Sequence, residues 1–383
     1  MVSVTDAILI AAQSGRALAE AARRAGLRPY VADLFGDADT LELADAHRPL
    51  SGAFSSGRLG GDALLAALDD LAGEAGTRPL GVVLGSGFEG APDLMAALAA
   101  RFPLLGAAPD TVARLKDPQG LAALCAELAI PHPPIRLDPV PDPENWLLKR
   151  VGGSGGSHIR RAGRGRAPPG GYFQARVPGR PHALNILSDG AGIRVLALTE
   201  QWCAPSPLRP FRYGGALARG AGEPDSVPPA IRAEIAAAVA RLAARTGLKG
   251  LASADCLVAE DSWWLTEINP RPGATLDVLD RRGTPLLTAH IAASLGKMPP
   301  PDPDPVDAAA SEICYASRDF APVPAFAWPD HVRDRPRPGT AVRRDVPLCT
   351  VLATGAEAGA TKDRLRARIA ALRAALAQED ASG

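Results

Sequence analysis

Leu265-Thr266-Glu267-Ile268-Asn269-Pro270-Arg271-Pro272-Gly273 sets a carboxylate, a carboxamide and a guanidinium at alternating positions. On a strand, period-two geometry turns Glu267, Asn269 and Arg271 to one face and Thr266 and Ile268 to the other. Pro270 and Pro272 then end the strand. Glu267 and Asn269 offer the hard oxygen ligands that magnesium prefers and usually shares with phosphates. Arg271 adds a planar cation where a phosphoryl group develops charge. An ordinary hairpin end with a solvated charge pair would carry the same residues, so the upstream segment decides. Gly250 to Ala259 reads as a strand, Glu260-Asp261-Ser262 as a turn, and Trp263 onward as the returning strand. Asp255 then lies near Glu267 and Asn269, and three oxygen ligands on two paired strands suit one or two magnesium ions bridging a triphosphate.

Asn145-Trp-Leu-Leu-Lys149-Arg150 reads as a second strand ending in a cation. It runs into Val151-Gly152-Gly153-Ser154-Gly155-Gly156-Ser157-His158-Ile159, whose glycines free backbone N–H groups to approach phosphate oxygens. No Gly-Lys-Ser/Thr follows, so this is not a P-loop, and the Arg-, Gly- and Pro-rich stretch 160–171 is no helix of a dinucleotide site. A flexible linker has the same composition. Against that reading stands another strand, Tyr172 to Val177, directly after; a mobile lid between two strands fits better.

A Lys-ended strand, a Gly-rich loop, a Gln174-x-x-Val177 segment, Asp255 and Glu267-x-Asn269-Pro270-Arg271, in that order, resemble the ATP-grasp superfamily of carboxylate–amine and carboxylate–thiol ligases, from about Ala7 to Ser294. The resemblance implies that ATP lies between two α+β lobes with the loop over its phosphates. It implies that Gly152, Gly153, Ser154, Gly155, Gly156 and Ser157 cover the phosphates, and that Lys149 meets phosphate and the adenine edge. Gln174, Ala175 and Val177 would form the adenine hinge, where the family often has Glu rather than Gln174. Asp255, Glu267 and Asn269 would hold Mg2+ or Mn2+, and Arg271 would face the γ-phosphate or an acyl phosphate, Arg271 and Lys149 being the catalytic pair. Lys116, in Leu-Lys-Asp-Pro-Gln, resembles an earlier nucleotide-contacting lysine. Leu84-Gly-Ser-Gly-Phe-Glu89, Pro103-Leu-Leu-Gly106, Thr199-Glu-Gln-Trp202, Tyr213-Gly-Gly215 and Asp334-Arg-Pro-x-Pro-Gly339 are similar to the predicted carboligases that include tyramine–glutamate ligase. An ADP-forming ligase is then expected, joining an amino-acid-type carboxylate such as glutamate to an amine through an acyl phosphate, in a methanofuran-like cofactor pathway. A regulatory protein that binds nucleotide without turnover, and a small-molecule kinase of the same fold, are the alternatives.

The expected architecture mixes α/β and α+β. Ala7–Ala12, a helix capped by Ser14 through Ala25, and Pro29–Asp33 make a βαβ start. Helices near Gly61–Gly73 and Pro92–Arg101 and a strand at Leu80–Leu84 extend it into a Rossmann-like domain over residues 1–110. Ser14-Gly15 and Gly85-Ser86-Gly87 follow strand ends, where such sheets place ligands, although each could equally be a tight turn. Residues 111–143 form a helical linker of the small lobe. Residues 144–297 hold the loop, the helix Pro229–Thr246 and the hairpin. Residues 298–383 hold a stiff Pro-rich linker, strands at Ser311–Ser317 and Val346–Thr354, and a helix at Thr361–Ala377, expected to pack back as a small β-rich cap.

Lys plus Arg equals Asp plus Glu at 42 each, so no net field favours nucleic acid or a membrane surface. The arginines at 160, 161, 164 and 166 lack interleaved aromatics and read as a solvated edge of the lid or a contact for a polyanionic substrate. Five separated cysteines without C-x-x-C spacing point to a reducing, cytoplasmic setting. No leader or membrane span is expected. His158, His182 and His290 read as structural, and Trp202, Trp263 and Trp264 as packing residues. Small-molecule carboxylate and amine are the expected partners, and a homodimer is allowed.

Overall fold

The chain opens on Ala7–Ala11, five apolar residues that are all buried, as expected of a central strand covered on both faces. The computed structural model describes residues 6–53 and 58–382. Around that strand lies a parallel sheet in the order Ala46–Pro49, Arg28–Asp33, Ala7–Ala11, Val82–Leu84, Leu104–Leu105. Helices Arg16–Arg24, Gly61–Glu74 and Pro92–Ala99 connect its strands. Ser14 does not cap the first helix. The Gly15 N–H is taken at 2.8 Å by Asp33 Oδ2 from the neighbouring strand, and the Ser14 hydroxyl turns to Asp334 Oδ1 at 3.4 Å. A cap supplied from across the sheet cannot be read from local sequence.

Helices Pro109–Lys116 and Pro118–Glu127 follow, the second capped by Asp117, whose carboxylate accepts the Gly120 N–H. The segment read as purely helical also contributes a strand. Ile135–Arg136 pairs with Phe173 and Gln174 at the edge of an antiparallel sheet ordered Arg160–Arg161, Trp146–Arg150, Gly171–Ala175, Ile135–Arg136. Arg160, Arg161, Arg164 and Arg166 lie exposed there.

The largest sheet has eight strands, in the order Trp263–Asn269, Lys249–Val258, Arg180–Asp189, Ile193–Cys203, Tyr213–Ala218, Ala308–Tyr315, Pro347–Gly355, Val332–Arg333. Helix Pro229–Thr246 buries Ile231, Ile235, Val239 and Leu242 and ends on Gly247 at φ +62°, the left-handed cap that glycine adopts without steric cost. The Pro-rich segment lies along this sheet: the Pro300 carbonyl accepts from Arg194 at 2.9 Å and the Pro305 carbonyl from the Ala221 N–H at 2.7 Å. The tail packs back as three further strands of the same sheet, under helix Ala358–Ser382. Leu365, Ile369, Leu372 and Leu376 form that helix's buried stripe at three- and four-residue spacing. Each such side chain contributes on the order of 1.5–3 kcal/mol of burial before entropy is counted. Among the described residues no helix is long and apolar enough to cross a membrane.

Candidate functional site

Strands Lys249–Val258 and Trp263–Asn269 form the expected hairpin, closed by the Ala259 N–H to Ser262 carbonyl bond of 2.8 Å. Asp255 faces Glu267 directly, and Asn269 Nδ2 donates to Asp255 Oδ2 at 3.0 Å. The strict alternation expected for the returning strand breaks at Thr266. Cys256 pairs with Leu265 while Asp255 pairs with Glu267, so Thr266 is the extra residue of a β-bulge. Its hydroxyl bonds the Asp255 carbonyl at 3.0 Å. Leu265 and Ile268 consequently both enter the core, while Thr266 and Glu267 both reach the cleft. Bulges re-aim side chains in this way beside active sites.

Two buried lysines converge on the pair. Lys116, the last residue of its helix, donates to Glu267 Oε1 at 2.6 Å and to Asn269 Oδ1 at 2.9 Å. Lys149 donates to Gln174 Oε1 at 3.1 Å, and Gln174 Nε2 reaches the Thr266 carbonyl at 3.4 Å. Burial pushes Asp255 up to about 6, and the facing Glu267 adds to the rise. Burial also acts to raise Glu267, but Lys116, Lys149 and the His158 ring outweigh it and hold that carboxyl well below its ordinary range. Desolvation lowers Lys149. One hairpin thus carries two carboxylates pushed in opposite directions, a pattern typical of functional sites.

Arg271, just past the strand, donates through Nε to Glu89 Oε1 at 2.7 Å, while the Gly87 N–H holds the other Glu89 oxygen at 2.7 Å. The Gly-rich loop is a series of tight turns packed on its neighbours. Gly152 sits at φ +67°, and a Cβ there would come within 2.3 Å of Gly90 Cα. At Gly156, φ +68°, a Cβ would meet the Phe211 carbonyl, and the Gly155 carbonyl accepts the Tyr213 N–H at 2.8 Å. Lys149, Ser154, Gly155, Gly156, Ser157, Asp255, Glu267, Asn269 and Arg271 all border one cleft of about 360 Å³. Lys116, Gly152, Gly153, Gln174 and Glu267 border a smaller cavity of about 20 Å³ beside it.

Residues 122–275 match the family model described as an ATP-grasp domain. The biotin carboxylase domain of the Hydrogenobacter thermophilus 2-oxoglutarate carboxylase, solved as a dimer with MgADP, ADP and bicarbonate, superposes with a TM-score of 0.71 at 14% identity, over 94% of this chain and 89% of that one. This is an ATP-grasp fold. Biotin carboxylase from Campylobacter jejuni, in a β-γ-ATP complex, gives a TM-score of 0.66 at 14% identity, over 91% and 87% of the two chains. Rhizobium etli pyruvate carboxylase gives 0.70 at 18% identity, over 94% of this chain and 37% of that one. No curated protein matches the sequence.

Within this ATP-grasp fold, the residues expected of the site come together with two exceptions: Ala175 and Val177 border neither cavity, although Gln174 does. Lys116 occupies the position of a counter-ion on Glu267 and Asn269, two of the three expected metal ligands. His158, read as structural, also lines the site. Its ring borders both cavities, its buried Nδ1 has no partner, and burial lowers it to about 4, leaving it neutral at pH 7. Glu89, which orients Arg271, was also not singled out as functional, being 182 residues away in sequence. His182 and His290 are structural: His182 Nε2 meets Ser226 Oγ at 3.0 Å, and His290 Nδ1 takes the Leu251 N–H at 2.8 Å. Trp202 and Trp263 place their indole N–H groups on Glu312 and Glu234.

Asp255 Oδ1 is buried without a partner, which is rare enough in folded proteins to need a reason. A divalent cation supplies one: two carboxylates and a carboxamide oxygen are hard donors, and phosphates and water would complete the shell. Among the described residues no set of three His, Cys, Asp or Glu converges on a metal position, so phosphate oxygens would be integral to any such site.

The glycine geometry makes the loop's packing testable. Gly152→Ala should strain a left-handed position by about 1–2 kcal/mol and force the loop off Gly90. Nucleotide affinity should fall about tenfold, with the melting temperature almost unchanged, because the loop lies outside the main cores. Isothermal titration with MgATP measures it; wild-type affinity would mean that the loop's packing is irrelevant to nucleotide.

Proposed function

We propose that this chain is an ATP-dependent, ADP-forming ligase that joins an amino-acid-type carboxylate, glutamate being favoured, to an amine through an acyl phosphate. The observation that carries the reading is Asp255 facing Glu267 across the hairpin, with Asn269 Nδ2 on Asp255 Oδ2 and the buried Asp255 Oδ1 left without a partner. Bound there, Mg2+ would neutralise charge on the ATP phosphates. Lys149 and the turns at 152–157 would bind those phosphates, and Gln174 would border the base. Arg271, oriented by Glu89, would meet charge developing on the transferred phosphoryl group. The smaller cavity, where Leu115, Leu121, Ile135 and Tyr172 lie beside Lys116, Gln174 and Glu267, marks the edge along which the base would lie. Nothing in this arrangement requires a protein nucleophile, because phosphoryl transfer depends on positioning and charge. Likeness to the tyramine–glutamate ligase group rests on the short motifs quoted above.

The biotin carboxylases among its structural relatives favour a second reading, in which bicarbonate is the activated carboxylate. ADP release, assayed over a panel of amino acids and bicarbonate crossed with primary amines, separates the two. Release that needs both a larger carboxylate and an amine supports the ligase. Release with bicarbonate alone supports the second reading, and release with neither amine nor carboxylate dependence removes both.

The raised Asp255 sets a pH dependence. A cation must displace its proton, so Mn2+ affinity, followed by electron paramagnetic resonance, should fall about tenfold per unit as pH drops below about 6. In metal-free protein the sign reverses. The native state keeps a proton that the unfolded chain releases near the ordinary aspartate value, so this group lowers stability as pH rises from there to about 6. Constant Mn2+ affinity between pH 5 and 8 would remove Asp255 from the ligand set.

A further inference from the structure

Among the described residues four carboxylates border the cleft, and three of them already face a cation. Arg16 Nη1 lies 2.5 Å from Asp277 Oδ1 and its Nε 2.9 Å from Asp334 Oδ1, while Lys116 Nζ lies 2.6 Å from Glu267 Oε1. Asp255 is the exception. Its Oδ2 accepts from the neutral Asn269 carboxamide, and its buried Oδ1 has no partner. An ionised carboxylate left so in a low-dielectric site draws whichever nearby cation has donors to spare. Lys116, Lys149 and Arg271 are close enough for their charges to act with it. Lys116 is spent on Glu267 and Asn269, and Lys149 is held by Gln174. Arg271 bonds only Glu89 and the Pro272 carbonyl among the described residues, so most of its five N–H donors remain uncommitted.

What holds Arg271 away is Glu89. This residue comes from the N-terminal domain, on the turn between strand Val82–Leu84 and helix Pro92–Ala99, and its side chain is 3% exposed. Both of its oxygens are fixed, Oε1 by Arg271 Nε and Oε2 by the Gly87 N–H, each at 2.7 Å. The turn itself is braced. Phe88 is buried, its carbonyl accepts the Ala91 N–H at 2.9 Å, and Gly90 packs against Gly152 of the Gly-rich loop. Burial acts against the Glu89 charge, but Arg271, with Lys116 and the Gly87 N–H, outweighs it and holds that carboxyl below its ordinary range. A fixed, ionised Glu89 therefore competes with Asp255 for one guanidinium, and here Glu89 holds it.

We propose that Glu89 is a positioning residue that keeps Arg271 off Asp255, so that Asp255 and Glu267 stay open to a divalent cation. This goes beyond aiming a guanidinium at a phosphoryl group, because it makes the metal site depend on a carboxylate that is no metal ligand. With Glu89 neutralised, the guanidinium turns from Glu89 Oε1 to the partnerless Asp255 Oδ1. A charge-assisted pair formed there takes up the oxygen that the cation needs. The inference rests on the metal site of the ligase reading.

Calorimetric titration of the full chain with ADP, once with Mn2+ and once in EDTA, isolates the metal's share of binding. Glu89→Gln keeps the shape and an acceptor for the Gly87 N–H. It should weaken MnADP about tenfold while ADP alone changes by less than about twofold, a split that a merely structural role would not produce. Arg271→Met supplies the second background. With no guanidinium to turn, adding Glu89→Gln there should cost MnADP less than about twofold. Should the single Glu89→Gln protein not fold, Glu89→Asp, which keeps the charge but loses the reach to Arg271 Nε, takes its place with the same expectation. A Glu89 substitution that costs nothing with Arg271 present, or costs as much without it, overturns the proposal. Wild-type protein that binds MnADP no more tightly than ADP alone sinks the metal site itself and the ligase reading with it, whereas the other failures leave that reading standing.

Discussion

Glu267→Gln should reduce ADP release at least about 10²–10³-fold at saturating magnesium, while the protein remains folded. The exchange keeps the shape but removes a half-buried negative charge opposed by two ammonium groups. Lys116 lies 2.6 Å from Glu267 Oε1, and Lys149 also acts on this carboxyl. With glutamine there, Asp255 becomes the only carboxylate of the proposed metal site. Its ionisation should become easier once the neighbouring negative charge is gone, since Glu267 is among the causes of its rise. Two readouts therefore move together: turnover collapses, and the pH midpoint for Mn2+ binding falls below the wild-type value. Wild-type turnover in this variant would show that Glu267 is no metal ligand, and that its bond to Lys116 is structural.

The parts of this architecture written in local pattern were legible. The hairpin was readable because its strands are separated by a polar turn, and helix Pro229–Thr246 because an Ala-rich amphipathic run lies between prolines and a glycine. The short strands Ala46–Pro49, Ile135–Arg136 and Arg160–Arg161 were not, because two to four residues carry no periodicity and pair only through neighbours already in place. The bulge at Thr266 eluded pattern reading for a related reason. Alternation predicts faces for an unbroken ladder, and a bulge exists only relative to the partner strand. In the candidate site, Asp255, Glu267, Asn269, Lys149 and the loop were drawn together by motif order. His158 was read as structural because its spacing to His182 and His290 suggests no metal site, and its place on the cleft depends on the folded loop. Glu89 and the Arg16 cluster depend on contacts spanning 182 to 318 residues, which no window of sequence contains.

That Arg16 cluster carries the largest expected effect on stability. Arg16→Met should lower stability by about 3–5 kcal/mol at neutral pH, because it leaves Asp277 buried beside Asp334 with no cation between them. The loss should be pH-dependent with a definite sign. Asp277 is already raised by burial, with Asp334 and Glu20 contributing, and Arg16 is what restrains it. Without the guanidinium its native value rises further above the unfolded one, so the variant's stability falls as pH increases from the ordinary aspartate value up to the new one. The gap to wild type should therefore narrow in mild acid. Adding Asp277→Leu to Arg16→Met should recover part of the loss at pH 7, since an apolar pair of similar volume carries no uncompensated charge. Urea unfolding at pH 5 and 7 for the single and double variants tests all three statements. A pH-independent loss, or one under about 1 kcal/mol, would mean that solvent rather than Arg16 screens these carboxylates.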